Sequence, residues 1–300
     1  MISGNSTNLT FGSLLALKAK AYLELMKMRL SLLVAFSSAF GYSLAMGGRV
    51  DWAQLIMLFI GGWLISGASC TINQVLEKDY DLLMKRTQSR PLPTERLTKQ
   101  EAMTFAGIVA FLGILILFQW TNLLTTGLAI LSMILYSFVY TPLKRVGPIA
   151  VFVGAFPGAL PPLLGWVAAT GVISHEAMII FGIQFIWQFP HFWAIAWVAD
   201  EDYKKAGFKL LPIAGEKDMK TAFQIMTYTL FLIPLGLLPM YFGITGINSG
   251  VVATICGVLF LAQTIKLMRD QSRKSALRIM FGSFLYLPIV QIAYLLDIVK

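Results

Sequence analysis

The sequence predicts an all-α integral membrane protein, with nine transmembrane helices around a central cavity and a cytoplasmic N-terminus. Three observations predict this fold: the composition, the spacing of the charged residues along the chain, and the distribution of those residues between the loops. Of the 300 residues, 57% are hydrophobic and only 13% are charged, and the mean hydropathy is +0.72. That is too little charge for a soluble fold to cover so much apolar surface. The composition also excludes a disordered chain, a coiled coil and, with two cysteines, a disulfide scaffold.

Uncharged runs locate the predicted spans, since a helix needs roughly 20 apolar residues to cross the hydrocarbon. Five runs have the length of one crossing, and two are long enough for two crossings each. The long runs contain breaks at 120–122 and at 243–250. Pro234 and Pro239 lie in the seventh helix, where neighbouring helices can cover the carbonyls that a kink frees. The single runs are 30–48, 52–76, 146–175, 177–199 and 279–296, and the double runs are 102–143 and 221–265.

Basic residues are concentrated on one side of the predicted membrane domain. Nine helices place the two termini on opposite sides, and all but Arg49 and Lys300 of the 24 Lys and Arg residues fall on the N-terminal side. The positive-inside rule therefore places this side in the cytoplasm. The net charge of +9 is accordingly a topology signal, and no nucleic-acid partner is predicted.

The segment 1–21 is predicted to be a cytoplasmic N-terminal segment that precedes a single membrane domain over 22–300. Residues 1–28 contain no long apolar core behind a basic start, so no cleavable signal peptide is predicted. They also contain no Arg, which argues against a mitochondrial transit peptide. We therefore expect a multi-pass protein of a bacterial plasma (inner) membrane. Its two long loops are both cytoplasmic, so the active site is predicted to face the cytoplasm.

Polar side chains share one face at the end of the second predicted helix. Asn73, Glu77 and Asp81 are spaced four residues apart, so this face is about 12 Å long. Intramembrane carboxylates usually face a cavity, and Mg²⁺ favours one or two carboxylates plus substrate phosphates. Arg86 and Arg90, which follow, are suited to bidentate contacts with phosphate oxygens. The alternative is a solvated helix end whose charges pair with one another.

A second polar series lies at the end of the sixth predicted helix. Spacings of three and four residues place Gln184, Gln188 and His191 on one face, with Asp202 at its cytoplasmic end. For His191, a hydrogen-bonded core histidine is an alternative to a binding role. The two acidic helix ends suggest two similar halves around one cavity. Two facing carboxylate clusters can share Mg²⁺ ions over a diphosphate, with basic residues nearby to take the charge left on it.

Four sequence motifs surround these residues. They are NxxxExxxDxxMxRTxxRPL over 73–92, YTxLKR over 140–145, GALPPLxGW over 158–166 and WQxPHFWAxA…DYxxAG…LP over 187–212. Through them the chain resembles, over roughly 22–298, the UbiA-type intramembrane prenyltransferase superfamily, and within it the subgroup that farnesylates heme. The sequence departs from the superfamily pattern at Glu77, which replaces an aspartate, and at Val198, which leaves Asp202 alone in the second acidic motif.

The resemblance implies transfer of a farnesyl group from farnesyl diphosphate to the vinyl group of heme B, with water addition giving heme O. It implies Mg²⁺ as cofactor, and the two substrates, the lipid bilayer and a heme A synthase or terminal-oxidase assembly factor as partners. The residues implied to hold Mg²⁺ are Asn73, Glu77, Asp81 and Asp202. Those implied to neutralise the leaving diphosphate are Arg86, Arg90, Lys144 and Arg145. His191, with Gln184 and Gln188, is our candidate for contacting heme, either at the iron or at a propionate.

Two other functions stay open from the sequence. A related prenyltransferase acting on a quinone precursor or another polar acceptor would share the fold and the Mg²⁺ site, but it should lack the PHFW and RTxxRPL context. A transporter or channel could line a pathway with intramembrane His, Gln and carboxylates. It would be expected to place polar groups toward both membrane faces, whereas the predicted non-cytoplasmic loops carry few titratable residues.

Overall fold

A computed structural model describes residues 11–213 and 216–299 of the chain. These residues are mostly helical and form no β-sheet, with one isolated bridge between Thr245 and Ile298. A π-helical segment, Leu135–Tyr140, joins α5 to α6. In chain order the α-helices are α1 (Phe11–Leu25), α2 (Met28–Ala45), α3 (Trp52–Asp81), α4 (Lys99–Trp120), α5 (Leu123–Ile134), α6 (Thr141–Leu143), α7 (Ile149–Thr170), α8 (His175–Val198), α9 (Asp200–Lys205), α10 (Met219–Tyr241), α11 (Ile247–Asp270) and α12 (Arg273–Leu296).

Nine helical spans in the described part of the chain are long and apolar enough to cross a membrane. One of them, Leu123–Leu143, is the continuous unit of α5, the π-helical segment and α6. The predicted all-α membrane fold and the number of spans are therefore confirmed. Both predicted breaks in the long uncharged runs are present, because α4 is followed directly by α5 and α10 by α11. The side of the membrane on which the N-terminus lies stays a prediction.

Helix α1 precedes the first span and packs against the following part of the molecule. Ala21 and Leu25 are buried in one cluster with Leu97 and Ala102. Leu97 lies just before α4, and Ala102 lies near its start. The boundary that we predict between residues 21 and 22 falls within α1. The division of the chain at this point stays a prediction, and residues 1–10 of the predicted N-terminal segment lie outside the described residues.

The predicted continuous helical face from Gln184 to Asp202 is wrong beyond Val198. Helix α8 ends at Val198, and Ala199 has φ −95° and ψ 9°. That conformation interrupts the helix for one residue, and α9 begins at Asp200. Asp202 therefore does not continue the face that carries Gln184.

Helix α7 crosses α2 at very short range. A Cβ atom at Gly41 would lie 2.0 Å from the carbonyl oxygen of Pro162, and one at Gly165 would lie 1.8 Å from that of Ser38. Only residues without side chains allow two helix backbones to approach so closely. This crossing brings the GALPPLxGW motif over 158–166 against α2 and beside the central cavity.

Candidate active site

A cavity of about 410 Å³ lies between α2, α3, α7, α8 and α12. This volume is within the usual range for small-molecule sites. Two parts of its wall differ in chemistry. Carboxylates, lysines and arginines surround the end near the C-terminus of α3, whereas apolar side chains such as Leu33, Leu58 and Leu164 line the rest. The cavity is therefore suited to a molecule with a charged head and an apolar tail.

Two buried carboxylates define the charged end of the cavity, and each is met by a cationic side chain. Glu77 Oε1 accepts a hydrogen bond of 2.8 Å from Lys144 Nζ. Asp81 is fully buried, and both its oxygens accept from Arg90 Nη1, at 2.9 and 2.8 Å. Buried charges are stable only when paired in this way. The spacing in the sequence predicts this shared face correctly, and we name Asn73, Glu77 and Asp81 the α3 motif.

Asn73, the first member of the α3 motif, is held from two sides. Its Nδ2 donates to Thr141 Oγ1 at 2.9 Å, and its Oδ1 accepts from Lys27 Nζ at 3.2 Å. Lys27 lies between α1 and α2 with φ 48°, in the left-handed region, and its side chain lines the cavity. Burial lowers the pKa of Lys27 to about 8. The sequence does not reveal this role of Lys27, since a lysine before the first span is indistinguishable there from a topology signal.

The π-helical segment Leu135–Tyr140 sets the position of the YTxLKR motif. The backbone N–H of Thr141 donates to the carbonyl oxygen of Tyr136, five residues back, which is the spacing of a π-helix. The Thr141 hydroxyl donates to the same oxygen at 2.9 Å. The wider turn carries the chain on to Lys144, which is buried against Glu77. Burial works against the charged form of Lys144, but the Glu77 carboxylate outweighs it, and the pKa of Lys144 is raised. Lys144 therefore contributes a positive charge to the wall of the cavity.

Asp202 lies beside the cavity instead of in its wall. Its two carboxylate oxygens accept from the backbone N–H groups of Lys85 and Arg86, at 3.3 and 3.4 Å. The neighbouring Tyr203 and the side chain of Arg86 do line the cavity. Asp202 thus ties α9 to the loop that carries Arg86. The structure does not bring it together with the α3 motif.

Two further charged residues near the cavity turn away from it. Arg145 is exposed, with its Cζ 4.7 Å from the centre of the Tyr80 ring, and it donates to the Tyr80 hydroxyl. Asp200 is buried and pairs through one oxygen with Lys204 and Lys217, each at 3.1 Å. Both residues are adjacent to the motifs in the sequence, but neither lines the cavity.

The predicted polar face of α8 does line the cavity. Gln184, Gln188 and His191 contribute to its wall, together with Gln291 of α12, which no motif in the sequence indicates. Gln291 Nε2 donates to Gln184 Oε1 at 3.0 Å. His191 Nδ1 lies 2.8 Å from Ser283 Oγ. His191 is therefore both a hydrogen-bonded buried histidine and part of the cavity wall.

The oxygen donors of the α3 motif fit a divalent cation that is bound together with a phosphate group. Amide and carboxylate oxygens are the hard ligands that Mg²⁺ prefers, and all three side chains line the cavity. Among the described residues, no three or more His, Cys, Asp or Glu side chains converge as a metal-binding group. A magnesium site of this kind takes its remaining ligands from substrate phosphates and water.

Comparison with known proteins assigns the chain to a family. The model described as the UbiA prenyltransferase family matches residues 34–287. The chain belongs to the UbiA prenyltransferase family. This UbiA-family protein is 53% identical, over 283 residues, to the protoheme IX farnesyltransferase of Cytophaga hutchinsonii, an alignment that covers 94% of this chain and 99% of that protein. The chain is accordingly a prenyltransferase with a multi-pass membrane fold.

Two solved structures share the fold of this UbiA-family protein. That of a digeranylgeranylglyceryl phosphate synthase has a TM-score of 0.77 and 21% identity, and the match covers 93% of this chain and 98% of that one. That of a UbiA homolog from Archaeoglobus fulgidus, bound to GPP and Mg²⁺, has a TM-score of 0.63 and 16% identity, with coverages of 91% and 99%. At these identities the likeness shows the fold.

Proposed function

We propose that this UbiA-family protein transfers a farnesyl group from farnesyl diphosphate to the vinyl group of heme B, and thereby makes heme O. The observation that carries the proposal is that one cavity joins a cation-rich carboxylate end to a wall containing His191. The first suits an allylic diphosphate, and the second suits an iron porphyrin. The protoheme IX farnesyltransferase of Cytophaga hutchinsonii supports heme as the acceptor.

The charged end of the cavity has an excess of positive charge that suits a diphosphate. Two carboxylates, Glu77 and Asp81, face four cationic side chains, which are Lys27, Arg86, Arg90 and Lys144. Such groups stabilise the charge that develops on the leaving oxygen. Bound with the diphosphate, Mg²⁺ would be held by the α3 motif and would act as a Lewis acid on that oxygen. Asp202 acts in this proposal by holding the loop that carries Arg86.

The chemistry at the apolar part of the cavity is the formation of a carbon–carbon bond. The allylic C–O bond breaks, and its electron pair leaves with the diphosphate. The π electrons of the vinyl group form the new bond to the farnesyl carbon, and water adds to the resulting cation and loses a proton. Apolar side chains exclude other water from the allylic cation, and the aromatic rings of Tyr140 and Phe192 in the wall offer it π surface.

We further propose that residues 22–300 act as one domain in a bacterial inner membrane, with the charged end of the cavity on the cytoplasmic side. The concentration of Lys and Arg in the predicted cytoplasmic loops supports this orientation. The α3 motif lies at the end of the second span, next to the first of these loops. Farnesyl diphosphate is water-soluble at its head and lipid-like in its tail, so it can enter at this interface.

A product assay tests the proposed function. Membranes containing the protein are supplied with heme B, farnesyl diphosphate and Mg²⁺, and the extracted hemes are analysed by mass. We expect a heme heavier by one farnesyl group plus water, and its loss when EDTA removes the metal. Recovery of intact heme B, where the Cytophaga hutchinsonii relative gives product, would contradict the proposal. Quinone precursors would then be tested as acceptors.

A further inference from the structure

The ring of His191 is held in one orientation by aromatic neighbours. Trp187 stacks on it, with ring centres 4.5 Å apart and an angle of 16° between the planes. Phe284 meets it edge to face at 5.1 Å, and Phe192 does so at 5.5 Å. A buried imidazole packed on these sides has little freedom to rotate. The direction of its two nitrogens is therefore fixed by the fold.

Ser283 determines which nitrogen of His191 carries the proton. Its hydroxyl donates to the carbonyl oxygen of Met280 at 2.6 Å. A serine hydroxyl has one hydrogen, so at the 2.8 Å contact with His191 Nδ1 the serine oxygen accepts and Nδ1 donates. Trp187 Nε1 donates to the carbonyl oxygen of Ser283 at 3.2 Å, which fixes the same turn of α12 from the α8 side.

The other nitrogen of His191 is consequently left with a free lone pair. A neutral imidazole protonated at Nδ1 has an unprotonated Nε2. His191 lines the cavity, and within the described residues Nε2 has no hydrogen-bond partner. An unprotonated nitrogen can bind a metal but cannot donate to a porphyrin propionate. A histidine can contact heme either at the iron or at a propionate, and this geometry favours the iron.

We propose that Ser283 is a positioning residue that keeps His191 protonated at Nδ1, so that His191 Nε2 ligates the iron of an iron porphyrin in the cavity. This inference rests on the proposed function and adds to it how the acceptor is held. Partners of this kind orient metal-binding histidines, and their loss typically weakens metal binding about 10–100-fold. The iron–histidine bond would hold the porphyrin while its vinyl group faces the farnesyl carbon.

The test is a titration of the full-length protein in lipid nanodiscs with ferric heme B, followed by absorbance and electron paramagnetic resonance. We expect a histidine-ligated spectrum for the wild type, and about tenfold weaker binding with altered ligation for Ser283→Ala. Ser283→Thr keeps the hydroxyl and should keep both affinity and spectrum. The matched control is Ser137→Ala, which removes another buried hydroxyl, one without a partner among the described residues.

A second variant tests the ligand itself. His191→Gly should lose the nitrogen signature and regain it when imidazole is added. An unchanged spectrum in His191→Gly overturns the ligation, and unchanged binding and spectrum in Ser283→Ala overturn the positioning role. The titration needs no farnesyl diphosphate, so the two proposals can be separated. Wild-type protein that makes heme O without histidine ligation overturns this inference alone, whereas wild-type protein that binds no heme overturns both.

Discussion

Two acidic regions of this protein look alike in sequence and differ in structure. In the α3 motif, Glu77 and Asp81 are buried in the cavity wall, and each is paired with a basic side chain. In the α9 cluster, which we define as Asp200 and Asp202, both carboxylates lie outside the wall. Asp202 accepts from backbone N–H groups, and Asp200 pairs with two lysines. The partners of the carboxylates therefore separate the two regions more clearly than their sequences do.

This difference shows how the environment of a carboxylate indicates its role. A lysine or arginine side chain can move from a carboxylate to a phosphate oxygen, so the pairs Lys144–Glu77 and Arg90–Asp81 can open when substrate binds. The backbone N–H groups that contact Asp202 cannot do so without refolding the loop. We therefore expect the α3 motif to act on the substrate and the α9 cluster to hold the structure in place.

The largest effect is expected for Asp81→Asn. The substitution removes one of two negative charges at the proposed Mg²⁺–diphosphate site and leaves Arg90 without its carboxylate. Loss of one such electrostatic group lowers kcat by about a hundredfold or more. Heme O formation, measured by mass in membranes with matched protein amounts, checks this.

Asp79→Asn is the matched control for this experiment, because Asp79 lies two residues away but is exposed and pairs with Lys99 at 3.2 Å. Its activity should stay within about twofold of wild type, as for other surface substitutions. A melting curve in detergent excludes unfolding as the cause of a loss in Asp81→Asn. Equal losses of activity in the two variants would show that a position in the cavity wall does not distinguish Asp81 from the exposed Asp79.

A smaller effect is expected for Asp202→Asn. The asparagine oxygen can still accept from one of the two backbone N–H groups, so the loop that carries Arg86 loosens without detaching. We expect a roughly tenfold rise in KM for farnesyl diphosphate, the cost of about one hydrogen bond to a charged group. The Mg²⁺ concentration that gives half-maximal rate should not change. A raised Mg²⁺ requirement, with a loss as large as in Asp81→Asn, would instead make Asp202 a metal ligand.

The sequence predicts the α3 motif well and the rest of the site less well, for physical reasons. Glu77 lies on an uninterrupted helix, where a spacing of four residues determines a shared face. The interruption at Ala199 involves neither Gly nor Pro, so the spacing of the polar residues predicts that α8 continues beyond Val198, where it ends. No pattern of apolar residues in the sequence indicates the left-handed conformation of Lys27 or the π-helical segment Leu135–Tyr140.

A pH-dependent effect is expected from Lys27. Because burial lowers its pKa to about 8, Lys27 loses its charge as the pH rises through that value. Its attraction for a diphosphate then falls, and kcat/KM for farnesyl diphosphate, which reports the free enzyme, should decline severalfold between about pH 7 and 9. The groups that act on Lys27 electrostatically are Cys70, Glu77, Arg90 and Lys144.

Lys27→Arg separates this titration from others, because arginine stays charged throughout this range. Its kcat/KM should be nearly constant from about pH 7 to 9. Lys20→Arg, at an exposed lysine of α1, is the matched control and should keep the decline of the wild type. If kcat/KM of Lys27→Arg declined as that of the wild type does, a group other than Lys27 would be responsible for the decline.

The smallest effect on activity is expected for Asp200→Asn, the member of the α9 cluster that pairs with two lysines within the described part of the chain. Asp200 is 8% exposed, but its partners Lys204 and Lys217 are 63% and 35% exposed, so water screens much of the attraction. The loss of stability should be about 1 kcal/mol, or roughly 2–4 °C in melting temperature. Activity should stay within about twofold of wild type, because Asp200 does not line the cavity. A tenfold loss of kcat/KM at an unchanged melting temperature would place Asp200 in the reaction, and the contrast between the two acidic regions would then fail.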